Sequence, residues 1–87
     1  MDNIATLIRE GKIADAEASL NHRRAEAQSS ADWHYQRGLL LVAMGRPEEA
    51  IAEYGHAVRL NPAHAEAIFQ LAFTQDLYGD DERAIGL

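Results

Sequence analysis

Glycines at positions 11, 45 and 79 stand 34 residues apart, and alanines at 16, 50 and 84 repeat the same interval. A period of this length constrains the chain more than any other feature. A unit so short cannot bury its own apolar face and must stack on its neighbours. The stretch "ADWHYQRGLLLVAMGRPEEAIAE" from Ala31 lies over "AEAIFQLAFTQDLYGDDERAIGL" from Ala65. Identities fall at Ala31/Ala65, Gln36/Gln70, Gly45/Gly79, Glu48/Glu82, Ala50/Ala84 and Ile51/Ile85, and Tyr35/Phe69 and Asp32/Glu66 are similar. In the other direction "IREGKIADAEASL" lies over the middle unit, so that Gly11 meets Gly45, Ala16 meets Ala50 and Leu20 meets Tyr54.

Each unit reads as two helices joined at its glycine. The spacing predicts helices over roughly 2–10 and 13–27, 31–44 and 47–60, and 64–78 and 81–87. Ser29-Ser30-Ala31-Asp32 forms a capping signal for the third helix, and Asp80 or Asp81 one for the last. Pro47 suits the first turn of a helix, where its missing N–H costs nothing, and Glu48 and Glu49 sit at the positive end of the helix dipole. Pro62 stops that helix, and Gly45 supplies the left-handed residue that closes the preceding one. Ala50, Tyr54 and Ala57 share one helical face, two small residues around one ring, which suits close approach to a second helix. The 31–44 helix is apolar on most sides, as a helix between neighbours must be. Its His34–Gly38–Leu41 face is expected to meet the second helix of the unit.

With Gly38, Leu41, Gly45, Ala50, Tyr54, Ala57 and Pro62 in register, the middle unit resembles the tetratricopeptide repeat. That resemblance implies an all-α fold of stacked antiparallel helical hairpins, a superhelix with a concave groove lined by the first helix of each unit. It implies one domain over 1–87: a degenerate repeat at 1–30, a repeat at 31–64 and a truncated repeat at 65–87. The first unit has Arg23 in place of the late alanine and Gln28 in place of the closing proline. The third ends at Leu87, one turn into its second helix, with no polar capping helix behind it. Ile68, Leu71 and Leu77 are therefore expected to be partly uncovered.

Fourteen acidic residues face eight basic ones, a formal net charge of −6. Such a surface repels phosphate backbones and anionic lipid, so nucleic acid and membrane are not expected partners. The absence of cysteine excludes disulfides and thiolate zinc sites. The apolar run Leu39 to Met44 is too short to span a bilayer, and no signal peptide opens the chain, so a cytoplasmic location is expected. His22, His34, His56 and His64 show no i, i+4 pair with a carboxylate motif, and neither metal nor cofactor is expected. His22, Arg23 and Arg24 read as dipole complements at a helix end, with a basic recognition patch as the alternative. Ser19, Ser29 and Ser30 lie on a helix or at its cap without a base, and no phosphate loop or nucleotide fingerprint occurs; no catalysis is expected.

What remains is a surface. On a helical wheel Asp32, Tyr35, Leu39 and Val42 share one side of the 31–44 helix, and their equivalents one unit on are Glu66, Phe69, Phe73 and Asp76. Ala5 and Ile8 extend the row into the first unit. Relatives that grip acidic chaperone tails place lysine, arginine and asparagine here; Tyr35, Leu39, Phe69 and Phe73 do not fit that mode. The expected partner is a protein or peptide, strand or helix, with apolar anchors and basic flanks. The alternative is core packing of the same residues, or a self-associating scaffold segment that forms a homo-oligomer through its open C-terminal end.

Overall fold

The computed structural model describes residues 4–79. It contains α1 (Ile4–Arg9), α2 (Ile13–His22), a 3-10 segment (Arg24–Gln28), α3 (Ala31–Ala43), α4 (Pro47–Leu60), α5 (Ala65–Thr74) and a π-helical turn (Gln75–Gly79). No strand occurs among the described residues. α1 packs on α2 and α3 on α4, while α1 and α2 lean on α3 and α4 leans on α5. The fold is the expected all-α stack of helical hairpins. The expected helix over 81–87 and the Asp80 or Asp81 cap lie outside the described residues.

The local signals act as their chemistry dictates. Gly11 and Gly45 adopt φ of 78° and 77°, the left-handed turn between paired helices. The Ser30 hydroxyl accepts the Trp33 N–H at 3.2 Å and opens α3. Pro47 occupies the first turn of α4, followed by Glu48 and Glu49. The core divides by unit. Ile4, Leu7, Ala16, Leu20, Trp33 and Leu40 form one cluster. Leu41, Ala50 and Tyr54 form another, and Ala31, Ala57 and Ala67 join the second unit to the third. Tyr54 is fully buried, and its ring lies where a Cβ on residue 38 would stand. The predicted meeting of the His34–Gly38–Leu41 face with the second helix is thus realised, with Gly38 as the gap and Tyr54 as its filler.

Two expectations need correction. The helix predicted over 13–27 is α-helical only to His22; Arg23 leaves the helix and a 3-10 segment follows. The break lets two distant partners be reached: Arg23 donates to the Gln36 side chain at 2.6 Å, and the Ala27 carbonyl faces His34 Nε2 at 2.6 Å. The helix predicted over 64–78 is α-helical only to Thr74 before it widens into the π turn. Leu71 is partly uncovered as expected, half-buried against the Leu41–Ala50–Tyr54 cluster because α5 lies on α4. Ile68 and Leu77 are exposed as expected.

Candidate interaction surface

The eight predicted surface residues fall on α3, α5 and the turn after α5, and the structure treats the two halves differently. Tyr35 is half-buried between two clusters: it packs on Ala31, Ala57 and Ala67 and on Leu41, Ala50 and Tyr54. Its ring centroid lies 6.1 Å from that of Tyr54 and 5.1 Å from that of His64. Leu39 and Val42 are likewise half-buried against the Tyr54 cluster. On α5, Phe69 is 64% and Phe73 49% exposed, and their rings stack at 6.0 Å with a 6° interplanar angle. Glu66 and Asp76 are exposed beside them in sequence. The row is therefore split in role: packing on α3, exposed surface on α5. Ile8 packs on the first core cluster.

The acidic border reaches the aromatic row. Burial pushes the Tyr35 hydroxyl above its usual 10.0, and the negative charges of Glu66 and then Asp32 push it further in the same direction. Carboxylates from two successive units thus act on one phenol.

Asp32 has a second task that the sequence did not reveal. His64 Nδ1 accepts the Ala67 N–H at 3.1 Å, so the imidazole caps α5. Nε2 then carries the proton and donates to Asp32 Oδ1 at 2.7 Å. One ring opens the third unit and ties it to the second. The usual signal for a cap is Ser, Thr, Asp or Asn, which is why histidine passed unnoticed. His64→Ala is expected to lower stability by about 1 kcal/mol and to reduce amide-exchange protection first in α5, as hydrogen exchange would show.

His34 also escaped notice as an anchor. Nδ1 faces Glu53 Oε1 at 2.6 Å while Nε2 faces the Ala27 carbonyl. Through these two contacts the ring joins the 3-10 segment, α3 and α4. Arg37 stands over the Trp33 ring at 5.8 Å and reaches Glu53 at 3.4 Å. Among the described residues no group of three His, Cys, Asp or Glu side chains converges as metal ligands would, and no helix is long and apolar enough to cross a membrane.

The middle unit, with its Gly38–Tyr54 contact and its glycine and proline stops, has the geometry of a tetratricopeptide repeat. Residues 31–64 match the family model of the tetratricopeptide repeat, and that part of the chain carries such a repeat. The chain is also 37% identical over 79 residues to a protein of Pseudomonas aeruginosa described as probable biofilm formation methyltransferase WspC; the match takes in 91% of this chain and 19% of that relative. The chain thus spans about a fifth of the relative's length. No solved structure matches it.

Proposed function

We propose that this chain is a non-catalytic protein-interaction module whose concave face binds a peptide or helix of a partner protein. The observation that carries the reading is the Phe69–Phe73 stack, two large apolar rings held in register on α5, one largely and the other half exposed. Aromatic side chains lose little rotamer entropy on contact and supply most of the energy of many interfaces. Leu39, Val42 and Tyr35 give the row a rigid back, since each is anchored in the core. Glu66, Asp32 and Asp76 favour a partner with lysine or arginine beside its apolar anchors, in keeping with the net charge of −6. The similarity to part of a methyltransferase fits a holding role: a segment of this kind keeps a partner protein near chemistry performed elsewhere, and contributes no reacting group.

Selection of random peptides on the purified chain tests this. Enriched sequences are expected to carry spaced apolar residues flanked by basic ones. Phe69→Ser with Phe73→Ser is expected to weaken them about 100-fold or more, as loss of two hot-spot rings does, with the helical circular dichroism unchanged because both rings are exposed. Peptides that bind the double variant as tightly as the parent chain would refute the groove.

Self-association is the second reading, favoured by Leu60 of α4, Ile68 of α5 and Leu77 and Tyr78 of the turn after α5, all more than two-fifths exposed. Light scattering separates the two: a monomer at high concentration removes this reading and leaves the first intact.

A further inference from the structure

The far side of α3 holds a second feature. Trp33 and Arg37 point about 200° around the helix from Tyr35 and Leu39, away from the aromatic row. There α2, the 3-10 segment, α3 and α4 enclose a half-open cleft of about 390 Å³. Glu17 and Asn21 of α2, Arg24 of the 3-10 segment, Trp33 and Arg37 of α3 and Glu53 of α4 line it.

The charges of this cleft are unevenly engaged. Glu53 already serves His34 and Arg37. Trp33 is nearly buried, and its indole N–H is committed to the Leu20 carbonyl at 3.0 Å. Among the described residues the side chains of Arg24, Glu17 and Asn21 make no hydrogen bond or ion pair. One cation, one anion and one amide thus face a shared space without closing on each other. The stacked Arg37 fixes a second guanidinium beside them. In a chain with an overall charge of −6, this cleft is locally balanced, with two arginines against two glutamates.

We infer that the cleft is a binding site for a small zwitterion of the α-amino-acid type. Arg24 and Arg37 would take the carboxylate, where guanidinium geometry gives strong charge-assisted bonds. Glu17 and the Asn21 carbonyl would take the ammonium. The walls are mainly polar and Trp33 is covered by Arg37, so short, polar side chains fit better than bulky apolar ones. The cleft volume lies at the small end of ligand sites. A bound zwitterion would bridge the first unit to the second, since its contacts come from α2 and the 3-10 segment on one side and α3 and α4 on the other.

Trp33 is the single tryptophan of the chain and forms the floor of the cleft, so its fluorescence reports occupancy. Titration of the purified chain with the twenty L-α-amino acids is expected to give saturable quenching or enhancement for a few with short polar side chains, with a parallel rise in melting temperature. N-acetyl and carboxamide derivatives of the same compounds each lack one charge and are expected to bind about 10-fold or more weakly. Arg24→Glu is expected to weaken the parent ligand by about the same factor while circular dichroism stays unchanged, since Arg24 holds nothing in the fold. Phe69→Ser with Phe73→Ser should leave the titration untouched, which keeps this site separable from the peptide surface. No saturable change up to about 50 mM, far weaker than a specific site requires, would overturn the inference. Equal binding of the capped derivatives, or of the Arg24→Glu chain, would overturn it as well.

Discussion

Tyr54→Ala is expected to remove about 3–5 kcal/mol of stability, enough to leave the chain largely unfolded at 37 °C. A chain of this length has roughly 5–10 kcal/mol in all. Tyr54 has no exposed surface and is among the largest fully buried side chains. It fills the gap over Gly38 and touches the groups that join α3, α4 and α5. Its loss leaves a cavity bounded by two helix backbones that cannot collapse without breaking the hairpin. Tyr54→Phe makes the contrast. The Tyr54 hydroxyl is buried with no hydrogen-bond partner among the described residues, and removing it keeps the ring while ending an uncompensated desolvation. Stability is expected to hold or to rise by up to about 1 kcal/mol. The same hydroxyl sets a pH dependence. Burial, and then the neighbouring Tyr35, raise its pKa well above the usual 10.0. Above pH 10 the unfolded chain loses this proton while the folded chain keeps it. The unfolded state then binds fewer protons, so stability is intact below pH 10 and falls as pH rises beyond it, by about 1.4 kcal/mol per pH unit for one such group. Tyr54→Phe should flatten that fall in alkaline denaturation curves.

Gly38→Ala and Gly55→Ala are expected to move stability in opposite directions, although both glycines lie inside helices. A helical glycine normally costs about 0.5–1 kcal/mol relative to alanine. A Cβ on residue 55 meets nothing within 4 Å, so Gly55→Ala should raise stability by about that amount. A Cβ on residue 38 would enter the space of the Tyr54 ring, which is enclosed and cannot swing away. Gly38→Ala should therefore cost about 1–3 kcal/mol net, a fall in melting temperature of roughly 5–15 °C. In a Tyr54→Leu background the smaller side chain leaves room, and the cost of Gly38→Ala should shrink or vanish. Additive losses in that cycle would show that the two helices do not meet through this pair.

The stack was legible because its determinants are local or repeat at fixed spacing. Gly11 and Gly45 turn the chain, Ser30 caps α3, and Ala50, Tyr54 and Ala57 lie on one face; each can be read within a few residues. What escaped depends on partners far apart in the chain. The end of α2 at His22 follows from what Arg23 and Ala27 find on α3, across 13 and 7 residues. His64 became a cap through its backbone setting and through Asp32, 32 residues earlier. The aromatic row was legible as a period, but its exposure was not. Tyr35, Leu39 and Val42 pack into the Tyr54 cluster along with Leu71 of α5, whereas Phe69 and Phe73 on the next unit stand in solvent. Whether a residue on a repeated stripe is core or surface is decided by the unit stacked upon it, which a single stripe does not state.

The most direct test of the interaction surface is a two-dimensional amide spectrum of the labelled chain, titrated with a peptide selected for apolar anchors and basic flanks. The largest shifts are expected on α3 from Asp32 to Val42 along the Tyr35 side and on α5 from Glu66 to Phe73. Shifts confined to α1, α2 and the outer side of α4, with the Tyr35–Phe69–Phe73 row unmoved, would contradict the account.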